Sequence, residues 1–194
     1  LQPGIFFDGA GDFMTATHSP SINSQVKPFT AKTIFVVFKT DINITDRQVI
    51  WAQGDKKAGL NIYIQSGNLY MCAWDLTTKN KGAWGPVSVS GPIAVNTLYC
   101  AELVFDQLNN NFEGILNGTS LGVQSGIGIL TKHAPGVIGA VKGSTMFHSN
   151  TTGKSGNFLN AYIFEMLMYN DILNAADTAV IRAYFNTKYG IVFK

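Results

Sequence analysis

Aromatic and polar side chains alternate with apolar ones along four predicted strands, residues 47–53, 60–65, 68–75 and 97–105. Successive side chains of a strand point to opposite faces, so one set forms a core and the other an outer face. Sugars suit such an outer face, because rings pack against the pyranose C–H groups while amides and charged groups bind the hydroxyls. We therefore predict a ligand-binding face made of Trp51, Tyr63, Trp74, Arg47, Asn61, Gln65, Glu102 and Tyr70.

The same residues allow a second interpretation, in which loops cover this face. Residues 76–86 and 142–157 are predicted loops, and a loop as long as the second is usually functional or mobile. The three large rings would then form a minor core, and Arg47 would pair with Glu102 beneath the loops. The sequence leaves both interpretations open. The second loop also contributes two residues that could line the edge of a pocket, Phe147 and His148.

The C-terminal part of the sequence predicts one long buried strand followed by a single helix. Residues 158–169 are almost continuously apolar, with Glu165 as the only charge, which favours a strand covered on both faces. Asn174 is the predicted N-cap of the helix, and Gly190 is its predicted left-handed C-cap. The apolar stripe of the helix is expected to close one end of a sandwich through Val180, Ile181, Tyr184 and Phe185.

Six segments of the chain follow one another in the order that one large group of β-proteins shows. They are FFDGAGDFM (residues 6–14), GILNG (114–118), VIGA (137–140), YIFEMLMYN (162–170), ILNAAD (172–177) and YFNTKYGI (184–191). With these segments the chain resembles the laminin-G-like, concanavalin A-like lectin/glucanase superfamily. Ala161 departs from the pattern, because this superfamily often has glycine there.

The resemblance implies an all-β fold: a two-sheet antiparallel jelly-roll sandwich with one C-terminal helix, formed by residues 1–194 as a single domain. Proteins of this kind include carbohydrate-binding modules, adhesion domains and catalytic glucanases, so the function has to be argued from the site. The three glutamates do not form the E-x-D-x-x-E run that such glucanases place on a strand. We therefore predict that the protein is not an enzyme.

Composition supports a single globular domain and excludes several kinds of partner. The chain has 194 residues, of which 46% are hydrophobic and 13% charged, and its formal net charge is +2. This charge is too small to indicate nucleic-acid binding, and the apolar run at 158–169 is too short to span a membrane. The start of the chain does not resemble a signal peptide. The resemblance implies a monomeric module of a larger, secreted or cell-surface protein.

Two smaller questions concern the cysteines and a possible metal. Cys72 and Cys100 are predicted on the same outer face, where they could form a disulfide or remain two buried thiols. Asp8 and Asp12 flank two glycines and could contribute oxygen ligands to a structural calcium ion. Asx-type turn hydrogen bonds account for both aspartates more simply.

The sequence thus predicts a noncatalytic carbohydrate-binding module that recognises a polysaccharide or cell-surface glycan. No cofactor is required, and structural calcium is the one metal considered. The alternative is a protein–protein adhesion or spacer domain of an extracellular protein.

Overall fold

A computed structural model describes residues 2–16, 19, 28–77, 83–131 and 135–194. It contains two six-stranded antiparallel sheets, a two-stranded hairpin and one C-terminal helix. The predicted all-β jelly-roll sandwich is thereby confirmed. In the described part of the chain, no helix has the length and apolarity that a bilayer-spanning segment needs.

One sheet, which we call the helix-side sheet, carries the C-terminal helix on its outer face. Its strands in spatial order are β1 (Ile5–Asp8), β14 (Asn160–Tyr169), β3 (Ala31–Thr40), β8 (Leu98–Asp106), β9 (Asn111–Leu116) and β10 (Thr119–Gln124). Strands β9 and β10 are joined by the predicted turn, where Asn117 and Gly118 have φ angles of 48° and 82°. Positive φ at both central residues is what a tight two-residue hairpin loop requires.

The other sheet, which we call the hairpin-side sheet, carries a β-hairpin on its outer face. Its strands in spatial order are β2 (Met14–Thr15), β11 (Val137–Ile138), β4 (Gln48–Gly54), β5 (Ala58–Gln65), β6 (Asn68–Asp75) and β7 (Trp84–Pro92). The covering hairpin consists of β12 (Val141–Met146) and β13 (Thr152–Gly156). The prediction that 142–157 is a loop is therefore wrong, because most of it pairs as two strands. Residues 78–82 of the other predicted loop lie outside the described residues.

The main core lies between the two sheets and follows the alternation expected from the sequence on three of the four strands. Leu60, Ile62 and Ile64 of β5 face it, as do the alternate residues of β6 and β8. Strand β4 differs, because the register against β5 shifts between Val49 and Trp51. Such a bulge places two successive residues against one of the partner strand and reverses the alternation beyond it.

The helix α1 (Ala175–Tyr189) begins and ends at the predicted caps. The Asn174 side chain accepts a hydrogen bond from the Asp177 backbone N–H, and Gly190 is left-handed with φ of 73°. Its position was predicted wrongly, because it covers the outer face of the helix-side sheet instead of one end of the sandwich. Phe185 is buried there against Phe35, whereas Val180 is 69% exposed.

A lysine is buried between the two sheets. Lys32 of β3 donates to Gln53 Oε1 at 3.3 Å, and its Nζ lies 4.3 Å from the centroid of the Phe29 ring. Burial lowers the pKa of Lys32 from its ordinary value of 10.5 to about 7. The charged form of Lys32 is therefore disfavoured in the folded protein.

We expect the stability of the wild-type protein to rise with pH between about 7 and 10 because of Lys32. The folded-state pKa lies below the unfolded value, so the unfolded chain binds more protons in this window. Replacing Lys32 with Met should remove this part of the slope, a difference on the order of a few kcal/mol over the window. Denaturant unfolding of both proteins across this pH range measures it. Lys142→Met, at an exposed site, should keep the wild-type slope; equal slopes for wild type and Lys32→Met would contradict the prediction.

Candidate functional site

The β12–β13 hairpin covers most of the face that the sequence analysis predicted to be open. Tyr63 and Trp74 are fully buried in a small core that also contains Phe147 of the hairpin turn. The Trp74 indole N–H donates to the Asp55 carbonyl at 2.9 Å. The prediction of an open face presenting these two rings is thus wrong, and the alternative of a covered minor core describes them.

Trp51 is also buried, but for a different reason. The β4 bulge turns its ring into the main core between the sheets, and Ala52 takes the outward position instead. The residue alternation on β4 could not reveal this, because a bulge leaves no clear mark in the sequence. Trp51 is therefore a core residue and does not belong to the outer face.

Asn61 fixes the covering hairpin to the sheet. Its side-chain amide donates to Thr145 Oγ1 at 3.0 Å and to the Met146 carbonyl at 2.7 Å, and the residue is fully buried. A buried amide with directed hydrogen bonds orients the segment that it contacts. Asn61 thus has a structural partner at the position where a sugar hydroxyl was expected.

Glu102 lies on the other sheet and cannot face Arg47. The prediction placed β8 beside β4, β5 and β6, but β8 pairs with β3 and β9 in the helix-side sheet. Glu102 Oε2 accepts from Arg182 Nη2 of the helix at 2.7 Å. Burial raises the pKa of Glu102, and the guanidinium opposes this change. The predicted Arg47–Glu102 pair is therefore wrong, and this carboxylate anchors the helix.

Three of the predicted residues remain at the surface, at the end of the hairpin-side sheet near the hairpin turn. Arg47, Gln65 and Tyr70 are all partly exposed, and His148 of the turn is partly exposed beside them. Ser90 of β7 is exposed opposite Tyr70 in the strand register. We call these five residues the ridge: Arg47, Gln65, Tyr70, Ser90 and His148.

The ridge is built on a layer of two rings that stand side by side. The Tyr63 hydroxyl lies within hydrogen-bond distance of His148 Nδ1 and accepts from the His148 backbone N–H at 3.0 Å. The two rings are nearly parallel, with centroids 6.1 Å apart and an interplanar angle of 14°. Because the rings are nearly parallel and meet edge to edge through the Tyr63 hydroxyl, Tyr63 and His148 lie side by side in one layer.

Tyr70 stacks against this layer with one face. Its centroid is 4.1 Å from that of His148 and 5.1 Å from that of Tyr63, at interplanar angles of 9° and 12°. Tyr63 and His148 lie on the β5 side of Tyr70. Tyr63 belongs to β5, and Tyr70 belongs to β6, which separates β5 from β7. The second face of Tyr70 is directed toward β7, where its register partner is the small Ser90. The ring is thus stacked on one side, and on the other side its partner in the β7 register is the small Ser90.

Hydrogen bonding determines which ring nitrogen of His148 carries the proton. Burial raises the pKa of the Tyr63 hydroxyl, so this hydroxyl keeps its proton. The hydroxyl already accepts from the His148 backbone N–H, so its own proton is available for donation to Nδ1. Burial and the nearby Arg47 lower the pKa of His148, which favours the neutral ring. We assign the neutral tautomer with hydrogen on Nε2, which leaves an N–H donor away from Tyr63.

Arg47 is held at the other side of the ring layer. Its Nε donates to Gln65 Oε1 at 2.8 Å, and its guanidinium carbon lies 4.1 Å from the centroid of Phe147. A guanidinium over an aromatic face is attracted by the ring's electrons. Residue alternation predicted Arg47, Gln65 and Tyr70 at the site, whereas nothing in the sequence indicated Ser90, and His148 was predicted only at the edge of a pocket.

Asp8, one of the two predicted calcium ligands, takes part in a turn. Asp8 Oδ1 accepts from the Ala10 backbone N–H at 2.7 Å, which is an Asx turn. Within residues 2–16, 19, 28–77, 83–131 and 135–194, no three His, Cys, Asp or Glu side chains come together as metal ligands would. Calcium prefers six to eight oxygen ligands, which at Asp8 and Asp12 would include backbone carbonyls, so structural calcium there stays a prediction.

The cysteines lie on opposite sides of the sandwich. Cys72 is buried under the hairpin and Cys100 under the helix, and both are free thiols. The expectation that they share one face was wrong for the same reason as for Glu102. A disulfide between them is excluded, because their side chains point away from each other on different sheets.

Two sequence patterns that a catalytic site could use, one acidic and one nucleophilic, form structural hydrogen bonds instead. Glu102 and Asp106 are four residues apart on β8, but Asp106 accepts from the Asn109 backbone and side chain. Residues 118–122 have the G-x-S-x-G spacing, yet they lie on a β-hairpin, and Ser120 donates to Glu113 at 2.6 Å. A nucleophile elbow requires a strand-to-helix turn. Neither pattern has the geometry of an active site.

No protein-family model matches the chain, and no curated protein matches it. Solved structures do share its fold. The binding domain of botulinum neurotoxin serotype D is 11% identical with a TM-score of 0.66, over 92% of this chain and 41% of that chain. The CBM40 of Ruminococcus gnavus IT-sialidase, bound to α2,3-sialyllactose, is 14% identical with a TM-score of 0.55, over 93% and 96%. A SAP-like pentraxin from Limulus polyphemus is 12% identical with a TM-score of 0.57, over 92% and 81%.

These similarities place the fold among β-sandwich, lectin-like jelly rolls. At identities of 11–14% they concern the fold alone. The chain spans less than half of the toxin binding domain and nearly all of the CBM40.

Proposed function

We propose that this chain is a noncatalytic carbohydrate-binding module that recognises a polysaccharide or cell-surface glycan through the ridge. The observation that carries the proposal is the ring of Tyr70, which is fixed by stacking on one face and bordered by small residues on the other. Such a ring offers a pyranose an apolar contact. Because stacking already holds the ring in place, binding costs little side-chain conformational entropy.

The surroundings of Tyr70 supply the polar groups that a sugar also needs. Ser90 and, two register pairs along on the same face, Ser88 provide hydroxyls beside the free face of the ring. The His148 N–H and the Arg47 guanidinium provide donors on the other side of the layer. A binding site combines an apolar surface with a few placed polar groups, and the ridge has both.

The solved structures support a binding role over a catalytic one. One of them is a carbohydrate-binding module with sialyllactose, and others are toxin binding domains. We also propose that this is a laminin-G-like, concanavalin A-like domain of a larger protein that is secreted or lies on the cell surface. The proposed binding uses protein side chains and requires no cofactor.

A protein–protein adhesion domain is the second candidate, and a different surface favours it. An apolar cleft of about 330 Å³ opens beside the edge strands β1 and β2, lined by residues that include Ile5, Met14 and Phe164. Ile5 is 53% and Met14 45% exposed. Exposed apolar side chains that cluster together mark protein contact sites more often than single, scattered ones do.

Replacing Tyr70 with Ala should weaken glycan binding by about 1–3 kcal/mol, because the stacking surface is lost. A glycan array with the wild-type domain first identifies a bound polysaccharide, and titration calorimetry with that polysaccharide measures the change. Tyr162→Ala is the matched control, since Tyr162 is a partly exposed ring on the opposite sheet. It should leave affinity unchanged.

The outcomes separate the two candidate functions. Loss of affinity in Tyr70→Ala alone supports the ridge. Loss in Tyr162→Ala alone shows that a glycan binds elsewhere and contradicts the ridge. A wild-type domain that binds no glycan of any class contradicts the carbohydrate-binding proposal and favours adhesion.

A further inference from the structure

We infer that the glycan bound at the ridge is acidic, and that Arg47 binds its carboxylate or sulfate group. The inference rests on the proposed carbohydrate-binding function and adds the chemical class of the ligand. It starts from a cation that has no counter-ion among the residues that the structure describes.

Arg47 has one side-chain hydrogen bond within the described ranges, from Nε to Gln65 Oε1 at 2.8 Å. Both Nη groups have no protein acceptor among these residues, although a guanidinium has five N–H donors. The two ion pairs found in the described part of the chain are Arg182–Glu102 and Lys188–Glu165, both on the helix. The nearest acidic residue in the sequence, Asp46, accepts instead from the Asn43 side-chain amide at 2.7 Å.

The position of the guanidinium is fixed before a ligand arrives. The Gln65 hydrogen bond and the contact with the buried Phe147 ring restrict two sides of the group. Because Nε is used, the remaining Nη edge is the part that can form paired hydrogen bonds. Paired N–H donors match the two oxygens of a carboxylate or of a sulfate.

The other ridge residues add hydrogen-bond donors and include no carboxylate. His148 follows Phe147, whose ring the Arg47 guanidinium contacts. The side-chain N–H groups of Gln65 take no part in the Arg47 contact, because that contact uses Gln65 Oε1. Tyr70 and Ser90 follow on the far side of the ring layer. Strand β5 lies between Arg47, which directly precedes β4, and Tyr70 on β6, and neighbouring strands are about 5 Å apart, so a glycan that spans several residues can contact both.

The test compares acidic glycans with neutral counterparts that share the same backbone. Polygalacturonate and its methyl ester differ in the carboxylate, as 3′-sialyllactose and lactose do, and dextran sulfate and dextran differ in the sulfate. Affinities are measured by calorimetry for the wild type, Arg47→Gln, Arg47→Lys and Lys142→Gln. Lys142 is the matched control because it is an exposed cation at the other end of the same hairpin.

We expect at least one acidic glycan to bind more tightly than its neutral counterpart. Arg47→Gln should reduce its affinity by about 10- to 100-fold, as loss of a hydrogen-bonded charge does. Arg47→Lys, which keeps a cation near Phe147 but not the paired donors, should fall between this variant and the wild type. Lys142→Gln should behave as the wild type, and the melting temperature of each variant shows that it is folded.

Three outcomes would overturn the inference. Equal binding of acidic and neutral members of every pair contradicts it but leaves the carbohydrate-binding function in place. Equal losses in Arg47→Gln and Lys142→Gln show that general positive charge, and not the ridge, attracts the glycan. Binding to no glycan at all removes the proposed function and this inference together.

Discussion

Replacing Trp74 with Ala should destabilise the protein by about 3–5 kcal/mol. The ring is fully buried beneath the hairpin, and its removal leaves a cavity between Tyr63, Phe147 and the sheet. The Asp55 carbonyl also loses its donor, which stands 2.9 Å away in the native protein. For a chain of this size we expect a fall in melting temperature of roughly 10 °C.

Two further variants define what such a result means. Trp74→Phe keeps a ring but no N–H, so we expect a smaller loss of about 1–3 kcal/mol. Val123→Ala changes a side chain that is 57% exposed and should alter stability by no more than about 0.5 kcal/mol. A Trp74→Ala protein that melts at the wild-type temperature would show that the hairpin does not cover this face in solution.

Replacing Phe185 with Ala should also cost about 3–5 kcal/mol. Phe185 is the one buried residue of the helix, and its ring lies 6.1 Å from that of Phe35 on the sheet below. Loss of this ring removes the main apolar contact that holds the helix on the sheet. Urea unfolding followed by far-ultraviolet circular dichroism measures the change.

Val180→Ala is the matched control for this experiment, because Val180 lies on the same helix with 69% of its surface exposed. Its stability should stay within about 0.5 kcal/mol of the wild type. Equal effects of the two substitutions would mean that the helix packs through a different stripe. Both variants keep the Arg182–Glu102 ion pair, so the comparison isolates apolar burial.

The sequence by itself determined the local features whose causes are local. The helix boundaries follow from the Asn174 side chain and from the left-handed Gly190, and both caps are present. The turn at Asn117 and Gly118 follows from residues that tolerate positive φ. Alternation along β5 and β6 separated core from outer face correctly, because a regular strand repeats every two residues.

Only the tertiary structure decided what covers each face and which strands are neighbours. Strand β8 resembles β5 and β6 in pattern, yet it pairs with β3, so Glu102 and Cys100 face the helix. The β4 bulge moved Trp51 into the core, and the hairpin buried Trp74. Strand partners and covering segments depend on contacts between distant parts of the chain, which residue alternation does not encode. Tyr70 and Arg47 stay at the surface because the hairpin turns back at His148 and leaves that end of the sheet partly exposed.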